Sequence, residues 1–160
     1  METIDAGAVL ALNHASESET SPLDAGGLAA LTATAFHVGL RDAGRTAFLI
    51  AFDQGATYDS PNFLWFRERY PRFVYVDRII VSASARGRGH ARALYQELFA
   101  AAQIAGHALV CCEVNVAPPN PGSDAFHAAL GFAEVGQADL AGAGKRVRYL
   151  VLHLDGRAMP

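Results

Sequence analysis

The chain has 160 residues, of which 51% are hydrophobic and 18% are charged. This length fits a single domain over residues 1–160 with a buried core, and the composition excludes intrinsic disorder. A net charge of −3 gives no general attraction to nucleic acid or to anionic lipid. No apolar run is long enough to cross a membrane, and no basic stretch followed by an apolar one opens the chain, so we expect no membrane association and no secretion.

The two cysteines, Cys111 and Cys112, are adjacent within an apolar run. Neighbouring residues of a strand point to opposite faces, so these thiols are not expected to pair with each other. They also lack companions at the spacing of a metal site. We therefore predict no bound metal, two reduced thiols and a cytoplasmic location.

The first half of the chain predicts a strand, a helix and a hairpin. The apolar residues 8–12 indicate a first strand, and residues 25–34 have a weak helical pattern. Residues 36–40 and 46–52 predict the second and third strands, joined by a turn at residues 41–44. Residues 53–72 are predicted to be a long loop rich in aromatic side chains.

The second half predicts a strand–helix–strand crossover followed by a helix and a hairpin. Residues 73–81 predict a fourth strand, and a helix with apolar residues three and four apart runs from Gly89 to Gly106. Residues 108–114 predict a fifth strand, buried on both faces. A short helix at residues 123–130 and strands at 132–135 and 147–154, around a Gly-rich turn at 141–144, complete the chain. This order predicts an α+β domain with a mixed, mostly antiparallel sheet flanked by helices.

The run from Ile80 to Arg92 takes the fourth predicted strand into a glycine-spaced loop that begins a helix. The first amides of a helix lack intrahelical partners, the helix dipole adds partial positive charge, and glycines let a loop wrap a phosphate. Arg86, Arg88 and Arg92 add further positive charge. The spacing is neither that of a P-loop nor that of a dinucleotide fingerprint. The run predicts an anion site, with an exposed basic turn as the alternative.

The same run resembles the signature of the GNAT superfamily of N-acetyltransferases. That signature is Arg or Gln, two residues, Gly, one residue, and then Gly or Ala, and here it is Arg86, Gly89 and Ala91. Val81 precedes Arg86 by five residues, which is similar to the strand-to-loop run of the family.

A second family element lies at a matching distance along the chain. Asn120 is followed seven residues later by His127, and Gly131-Phe132 begins four residues after that. The closing run at residues 142–146 is also similar. The resemblance covers residues 73–154, and the earlier part matches in the order of its predicted strands.

The resemblance implies a GNAT fold that binds acetyl-CoA as co-substrate and acetylates the amine of a small molecule. The pyrophosphate would lie at the helix start, where the implied contacts are Arg86, Gly87, Arg88, Gly89, His90, Ala91 and Arg92. The N–H of Val81 would face the thioester carbonyl as an oxyanion donor. Asn120 would touch the pantetheine arm, although an Asn followed by Pro is equally typical of a helix N-cap.

The resemblance also implies catalytic residues. His127 occupies a position where many members carry the Tyr that protonates the departing thiolate, and imidazole, with a pKa of about 6.5, can supply a proton to a thiol that titrates near about 8.5. A core or capping role is the alternative for His127. The favoured base is Asp77, which is expected to share a strand face with Val81, and a structural ion pair with Arg78 is the alternative for it. Glu113, in the buried fifth strand, is the rival candidate for the base.

The acceptor would lie against the aromatic loop at residues 53–72. Its flat apolar side chains and mixed charges suit a small amine, and the predicted acceptor-binding residues are Tyr58, Trp65 and Arg67. A subunit contact within a homodimer and simple packing of the loop on its own domain are the alternatives.

Two other classes of protein compete with an enzyme. A non-catalytic module of the same fold that binds acyl-CoA as a sensor or regulator would have the same phosphate-binding loop. A nucleic-acid-binding module built on the arginine loop is disfavoured by the acidic net charge and by the lack of a wider basic stripe, so no nucleic-acid partner is expected.

Overall fold

A computed structural model describes residues 2–17, 20–140 and 144–155. Within these residues the chain forms five helices and six strands. The helices are α1 (Ala6–Ala15), α2 (Ala25–Thr34), α3 (Pro61–Arg67), α4 (His90–Ile104) and α5 (Pro121–Leu130). The strands are β1 (His37–Arg41), β2 (Ala47–Asp53), β3 (Val74–Val81), β4 (Leu109–Ala117), β5 (Ala133–Leu140) and β6 (Lys145–His153).

The described strands form one sheet in the order β1-β2-β3-β4-β6-β5. The β3–β4 pair is parallel and is connected through α4, whereas the other neighbouring pairs are antiparallel. This arrangement confirms the predicted α+β fold with a mixed, mostly antiparallel sheet and a strand–helix–strand crossover.

Helices cover both faces of the sheet, and each face has its own apolar core. On one face, Val9 of α1, Leu28 of α2 and Phe63 of α3 pack against the sheet. On the other face, Leu94 and Leu98 of α4 do so. Because both faces are covered, β2 is buried along nearly its whole length, as an almost continuous apolar strand requires.

The two parallel strands diverge soon after they begin. Along the fully described β3 and β4, pairing is limited to Val74 with Val110 and Tyr75 with Cys111. The remaining residues of β3, up to Val81, pair with β2 on their other side. A wedge-shaped gap therefore opens between β3 and β4 toward the N-terminus of α4.

A bulge in β3 changes which residues share a face. Arg78 lies opposite Ile50 and Val76 lies opposite Ala51, so the intervening Asp77 has no cross-strand partner. Ile79 and Val81 pack on the α4 side, but the hydrogen bonds of Asp77 lie on the opposite side, with Tyr58 and Arg78. The expectation that Asp77 shares a face with Val81 is wrong, because an extra residue breaks the alternation of a strand.

Two segments differ from their predicted secondary structure. Residues 8–12 belong to α1 rather than to a strand; the Ala8 amide bonds the Asp5 carboxylate at 3.0 Å, and the Ala-rich sequence favours a helix after that cap. The aromatic loop contains α3, which begins with Pro61 in a position that proline favours. The strands predicted as fourth and fifth are therefore β3 and β4.

The other predicted elements are present, but two strands are longer than predicted. The strand predicted to end at residue 135 continues as β5 to Leu140, because it keeps pairing with β6, and β4 extends beyond residue 114 to Ala117. The predicted turn at residues 141–144 lies outside the described residues except for Gly144. Among the residues that the structure describes, the helices are too short or too polar to span a membrane.

Candidate active site

A cavity of about 830 Å³ passes through the gap between β3 and β4. Because successive residues of β4 point to opposite faces, the strand contributes Cys112 and Val114 to the α4 side and Glu113 to the α3 side of this cavity. The cavity therefore connects the two faces of the sheet, which we name the α4 side and the α3 side.

The α4 side of the cavity ends at the N-terminus of α4. The side chains of Asp5, Asp24 and Asn120 cap the first turns of α1, α2 and α5, but the N-cap residue of α4 is Gly89, which provides no side-chain acceptor. The first amides of α4 therefore lack both a helical and a capping partner. Such amides, together with the helix dipole, favour an anion at this end.

Two glycines give this loop its conformation. Gly87 and Gly89 have φ values of 78° and 82°, a region that favours glycine. A Cβ atom built on either residue would meet no other atom within 4 Å, so the space in front of the loop is open. An extended phosphate-bearing ligand such as CoA fits an open, uncapped and arginine-rich helix start of this kind.

The predicted cofactor residues divide into two groups. Arg86, Gly87, Ala91, Val81 and Asn120 line the cavity. Outside its lining are the remaining loop residues, namely Arg88, Gly89, His90 and Arg92. Of these, Arg88, Gly89 and Arg92 are exposed around the helix start, where they can contact only the outer part of a ligand.

The backbone N–H of Val81 points into the gap. The next amide, that of Ser82, donates to the carbonyl of Thr46 beside β2 at 2.8 Å. Because successive amides of a strand point to opposite edges, the Val81 amide points toward β4. Pairing with β4 has ended well before this position, so this N–H is available to an oxygen in the cavity.

His127 is buried and both of its ring nitrogens have partners. Its Nδ1 lies 2.8 Å from the Ser123 carbonyl oxygen and its Nε2 lies 2.7 Å from the Tyr95 hydroxyl of α4. Burial lowers the pKa of His127, while the Ser123 carbonyl and Asp124 act in the opposite direction. Asn120 caps the same helix, because its side-chain oxygen accepts from the Ser123 amide at 3.2 Å. Asn120 also lines the cavity, so it caps the helix and borders the cavity at the same time.

On the α3 side, Glu113 is held by a chain of partly and fully buried hydrogen bonds. Tyr75 donates to its carboxylate, with its hydroxyl 2.8 Å from Oε2, and the Asn62 amide donates to Oε1 at 3.1 Å. Tyr149 of β6 in turn donates to the Asn62 carbonyl oxygen at 2.9 Å. Burial outweighs these bonds and raises the pKa of Glu113 to about 8.

Asp77 lies close to Glu113 but both of its oxygens are engaged. Tyr58 donates to Oδ1 at 2.5 Å and Arg78 donates to Oδ2 at 2.7 Å. The Arg78 guanidinium also donates to Asn13 of α1, at 2.7 Å, and to Ser21. The pair is nearly inaccessible to solvent, with side chains 5% and 3% exposed, and it fastens α1 and the following segment to β3.

The three predicted acceptor residues do not share one cavity. Tyr58 lines the main cavity. Trp65 stacks on Tyr149 with ring centroids 4.1 Å apart and is outside the lining of that cavity, so it packs α3 on the sheet. Arg67 lines a second, open cavity of about 880 Å³ beside α2, which Tyr58 and Arg78 also border.

Several residues of the site have no signal in the sequence. Tyr95 is one more large side chain on the apolar face of α4, and Tyr75 is one more buried strand residue. Asn62 could have been noticed only after α3 had been predicted from the Ser60-Pro61 start. Among the described residues there is no cluster of His, Cys, Asp and Glu suited to a metal ion.

Several solved acetyltransferase structures have the same fold. The ribosomal-protein-S18-alanine N-acetyltransferase of Escherichia coli has a TM-score of 0.64 and 17% identity, over 96% of this chain and 90% of that one. An N-acetyltransferase of Staphylococcus aureus Mu50 has a TM-score of 0.66 and 20% identity, over 94% and 93%. The Salmonella typhimurium protein yncA, solved with its cofactor acetyl-CoA, has a TM-score of 0.50 and 21% identity, over 72% and 61%.

At these identities the likeness establishes the fold. A search of curated proteins gave no match. A family model, described as acetyltransferase (GNAT) family, matches residues 29–132, which is more than half of the chain and includes the loop before α4. The chain therefore belongs to the GNAT family of acetyltransferases.

Proposed function

We propose that this protein is an acetyl-CoA-dependent N-acetyltransferase that moves the acetyl group directly to the amine of a small molecule in a ternary complex. One observation carries the proposal: a single cavity joins the uncapped N-terminus of α4 to the buried carboxylate of Glu113 through the gap between β3 and β4. Donor and acceptor can therefore meet from opposite faces of the sheet.

The α4 side holds the donor. The free amides of the loop from Arg86 to Ala91 bind the pyrophosphate, with the arginines of the loop adding charge. The pantetheine arm follows the gap past Asn120, and acetyl-CoA supplies the acetyl thioester at its end. The N–H of Val81 then binds the carbonyl oxygen and stabilises the negative charge that develops there.

The α3 side holds the acceptor, and Glu113 is its general base. An ammonium group must lose a proton before it can attack. The deprotonated form of a carboxyl with a pKa of about 8 is basic enough to accept that proton, and its population grows as pH rises through neutrality toward 8. Asp77 is less suited to this role, because Tyr58 and Arg78 occupy its two oxygens. Asp77 instead holds Arg78, and through it α1, against β3.

The cysteines are poor nucleophiles, which supports direct transfer. Cys111 and Cys112 are free and buried, and burial raises the pKa of both thiols well above its ordinary value. The thiolate form that would attack a thioester is therefore suppressed. Two free thiols also agree with a reducing compartment, and we propose a cytoplasmic location.

Release of free CoA thiol in the presence of a panel of amines tests the proposal. The panel contains alkyl amines, amino acids, polyamines and a peptide with a free N-terminus, and mass spectrometry identifies the acetylated product. We expect amine-dependent thiol release with at least one small amine. Tight acetyl-CoA binding without turnover of any amine would instead identify a sensor of the same fold, and turnover of the peptide alone would replace the small-molecule acceptor by a protein.

A further inference from the structure

We propose that the Tyr95 hydroxyl, rather than the His127 ring, contacts the leaving sulfur and delivers its proton, and that His127 positions and recharges that hydroxyl. This inference rests on the proposed function, because it assigns the acid of the same reaction. It concerns a residue of α4 that lies 32 positions before His127 in the chain.

The hydrogen-bond pattern fixes the tautomer of His127. The Nδ1 atom lies 2.8 Å from the Ser123 carbonyl oxygen and 3.2 Å from the Ser123 hydroxyl oxygen. Because the carbonyl oxygen of the shorter contact can only accept, Nδ1 carries the hydrogen in the neutral ring. The Nε2 atom then has a lone pair, and the Tyr95 hydroxyl at 2.7 Å donates to it. The result is a directed chain from Tyr95 through the imidazole to the backbone of α5.

This chain of hydrogen bonds leaves no His127 nitrogen without a protein partner. Both ring nitrogens are engaged by protein atoms, although His127 and Tyr95 are both buried side chains that line the cavity. Tyr95 also lines the cavity, where its hydroxyl interacts with the thiol of Cys112 on β4. The Tyr95 oxygen retains lone pairs and a rotatable hydrogen, so it can contact both His127 and a sulfur atom in the cavity.

Protonation of the sulfur then follows a balanced relay. The relay starts from the protonated His127 ring, whose Nε2–H donates to the Tyr95 oxygen. When the carbon–sulfur bond breaks, its electron pair stays on sulfur, the Tyr95 O–H proton moves to sulfur, and the Nε2 proton moves to the Tyr95 oxygen. An imidazolium and a thiolate become an imidazole and a thiol, and Tyr95 ends unchanged.

The surroundings of the ring favour this direction of transfer. Burial lowers the pKa of His127 below that of a thiol, so the imidazolium gives up its proton readily. The other titratable or charged groups facing the ring are Tyr95 and Asp124, and Arg148 of β6 pairs with Asp124 at 3.2 Å. Phe126 and Phe132 complete the apolar surroundings.

The first test uses Tyr95→Phe, which keeps the ring and removes the hydroxyl. We expect kcat to fall about 100-fold while acetyl-CoA affinity, measured by calorimetry, changes less than about threefold. Tyr70→Phe, on a tyrosine outside the cavity lining, serves as the matched control and should keep the wild-type kcat. An undiminished kcat in a folded Tyr95→Phe variant would overturn the assignment.

The second test asks whether the two residues act as one unit. His127→Gln can still hydrogen-bond Tyr95 but cannot carry a proton, so it should fold and lose about as much rate as Tyr95→Phe. Combining the two changes should cost little more than either alone, because each removes the same relay. Multiplied losses in the double variant would mean that His127 reaches the sulfur independently.

The third test needs no activity. Nitrogen NMR of the ligand-free protein should find the His127 hydrogen on Nδ1, and an Nε2–H tautomer would contradict the relay. If the wild type transfers no acetyl group to any amine, the proposed function fails while this measurement still judges the hydrogen-bond chain. Amine turnover together with an unaffected Tyr95→Phe variant would reject the relay alone.

Discussion

Replacing Glu113 with Gln should lower activity and raise stability at alkaline pH, a pair of opposite effects. As the general base, Glu113 is expected to raise the rate about 10²–10³-fold, so kcat of the variant should fall by the same factor. The side chain keeps its volume and its oxygen can still accept from Asn62 or Tyr75. A loss of fold is therefore not expected.

The stability change follows from the raised pKa. Burial holds the pKa of Glu113 at about 8, against an ordinary value of 4.5, so the folded protein prefers the protonated carboxyl. The wild type therefore loses stability as pH rises from about 4.5 through about 8. The full difference corresponds to about 5 kcal/mol as an upper limit, and water reaching the partly buried carboxylate should reduce it to about 2–3 kcal/mol.

Denaturant unfolding at pH 5.5 and pH 9 measures this effect. The Glu113→Gln variant should exceed the wild type by about 2–3 kcal/mol at the higher pH and by clearly less at the lower one, because at pH 5.5 the wild type has passed only part of the interval from about 4.5 to about 8. Activity against an acceptor whose amine stays neutral throughout should rise with pH to a midpoint near 8 in the wild type only. Glu97→Gln, at an exposed carboxylate of α4, is the matched control and should alter neither property.

Two outcomes would refute the reasoning. A Glu113→Gln variant with the wild-type rate would show that another group, or solvent, takes the acceptor proton. A stability difference that does not grow between pH 5.5 and pH 9 would show that the carboxyl is not held protonated by the fold.

Three further changes test other parts of the site. Trp65→Ala should lower the free energy of unfolding by about 3 kcal/mol and leave the acceptor KM unchanged, because Trp65 packs outside the cavity. A raised acceptor KM without a loss of stability would contradict the packing role of Trp65. Asp77→Asn should lower the free energy of unfolding, measured with denaturant, by about 3 kcal/mol, because Arg78 would stay buried without its carboxylate partner. A fully stable variant would show that the Asp77–Arg78 pair does not fasten α1. Changing both Cys111 and Cys112 to Ala should keep the rate of acetyl transfer within a fewfold of the wild-type rate. Mass spectrometry of the native protein during turnover provides the opposing outcome, because an acetyl adduct on either thiol would reveal a covalent intermediate.

Much of the fold was predictable because its signals are local. The glycine-spaced loop and the apolar spacing of α4 predicted the crossover, and Gly131 marked the end of α5. Residues 8–12 were predicted as a strand because a short apolar run fits a strand as well as a helix. The Asp5 cap, which identifies the helix, lies outside this run. Pro61 at the first position of α3 is typical of a helix start, but the many aromatic residues of this segment led to the prediction of a loop.

The candidate site was less predictable because it depends on contacts between distant parts of the chain. The bulge that moves Asp77 to the α3 side is a property of the pairing between β2 and β3, which single-strand alternation cannot reveal. The partners of Glu113 come from α3, β3 and β6. Likewise, Tyr95 approaches His127 only after α4 and α5 pack on the same face of the sheet. Residue types in the sequence therefore indicate candidate catalytic side chains, and the tertiary structure determines which of them lie together in the site.

The claim on which the account most depends is that acetyl-CoA binds at the start of α4, and calorimetry on two Gly89 variants tests it. Asp and Asn have nearly the same shape and both tolerate positive φ, so each adds a similar side chain at a residue whose φ is 82°. Only Asp adds a negative charge where the phosphates should lie. Gly89→Asn should weaken acetyl-CoA binding modestly and Gly89→Asp at least about tenfold further, with both variants folded. Equal affinity for acetyl-CoA in the wild type and in Gly89→Asp would contradict the account.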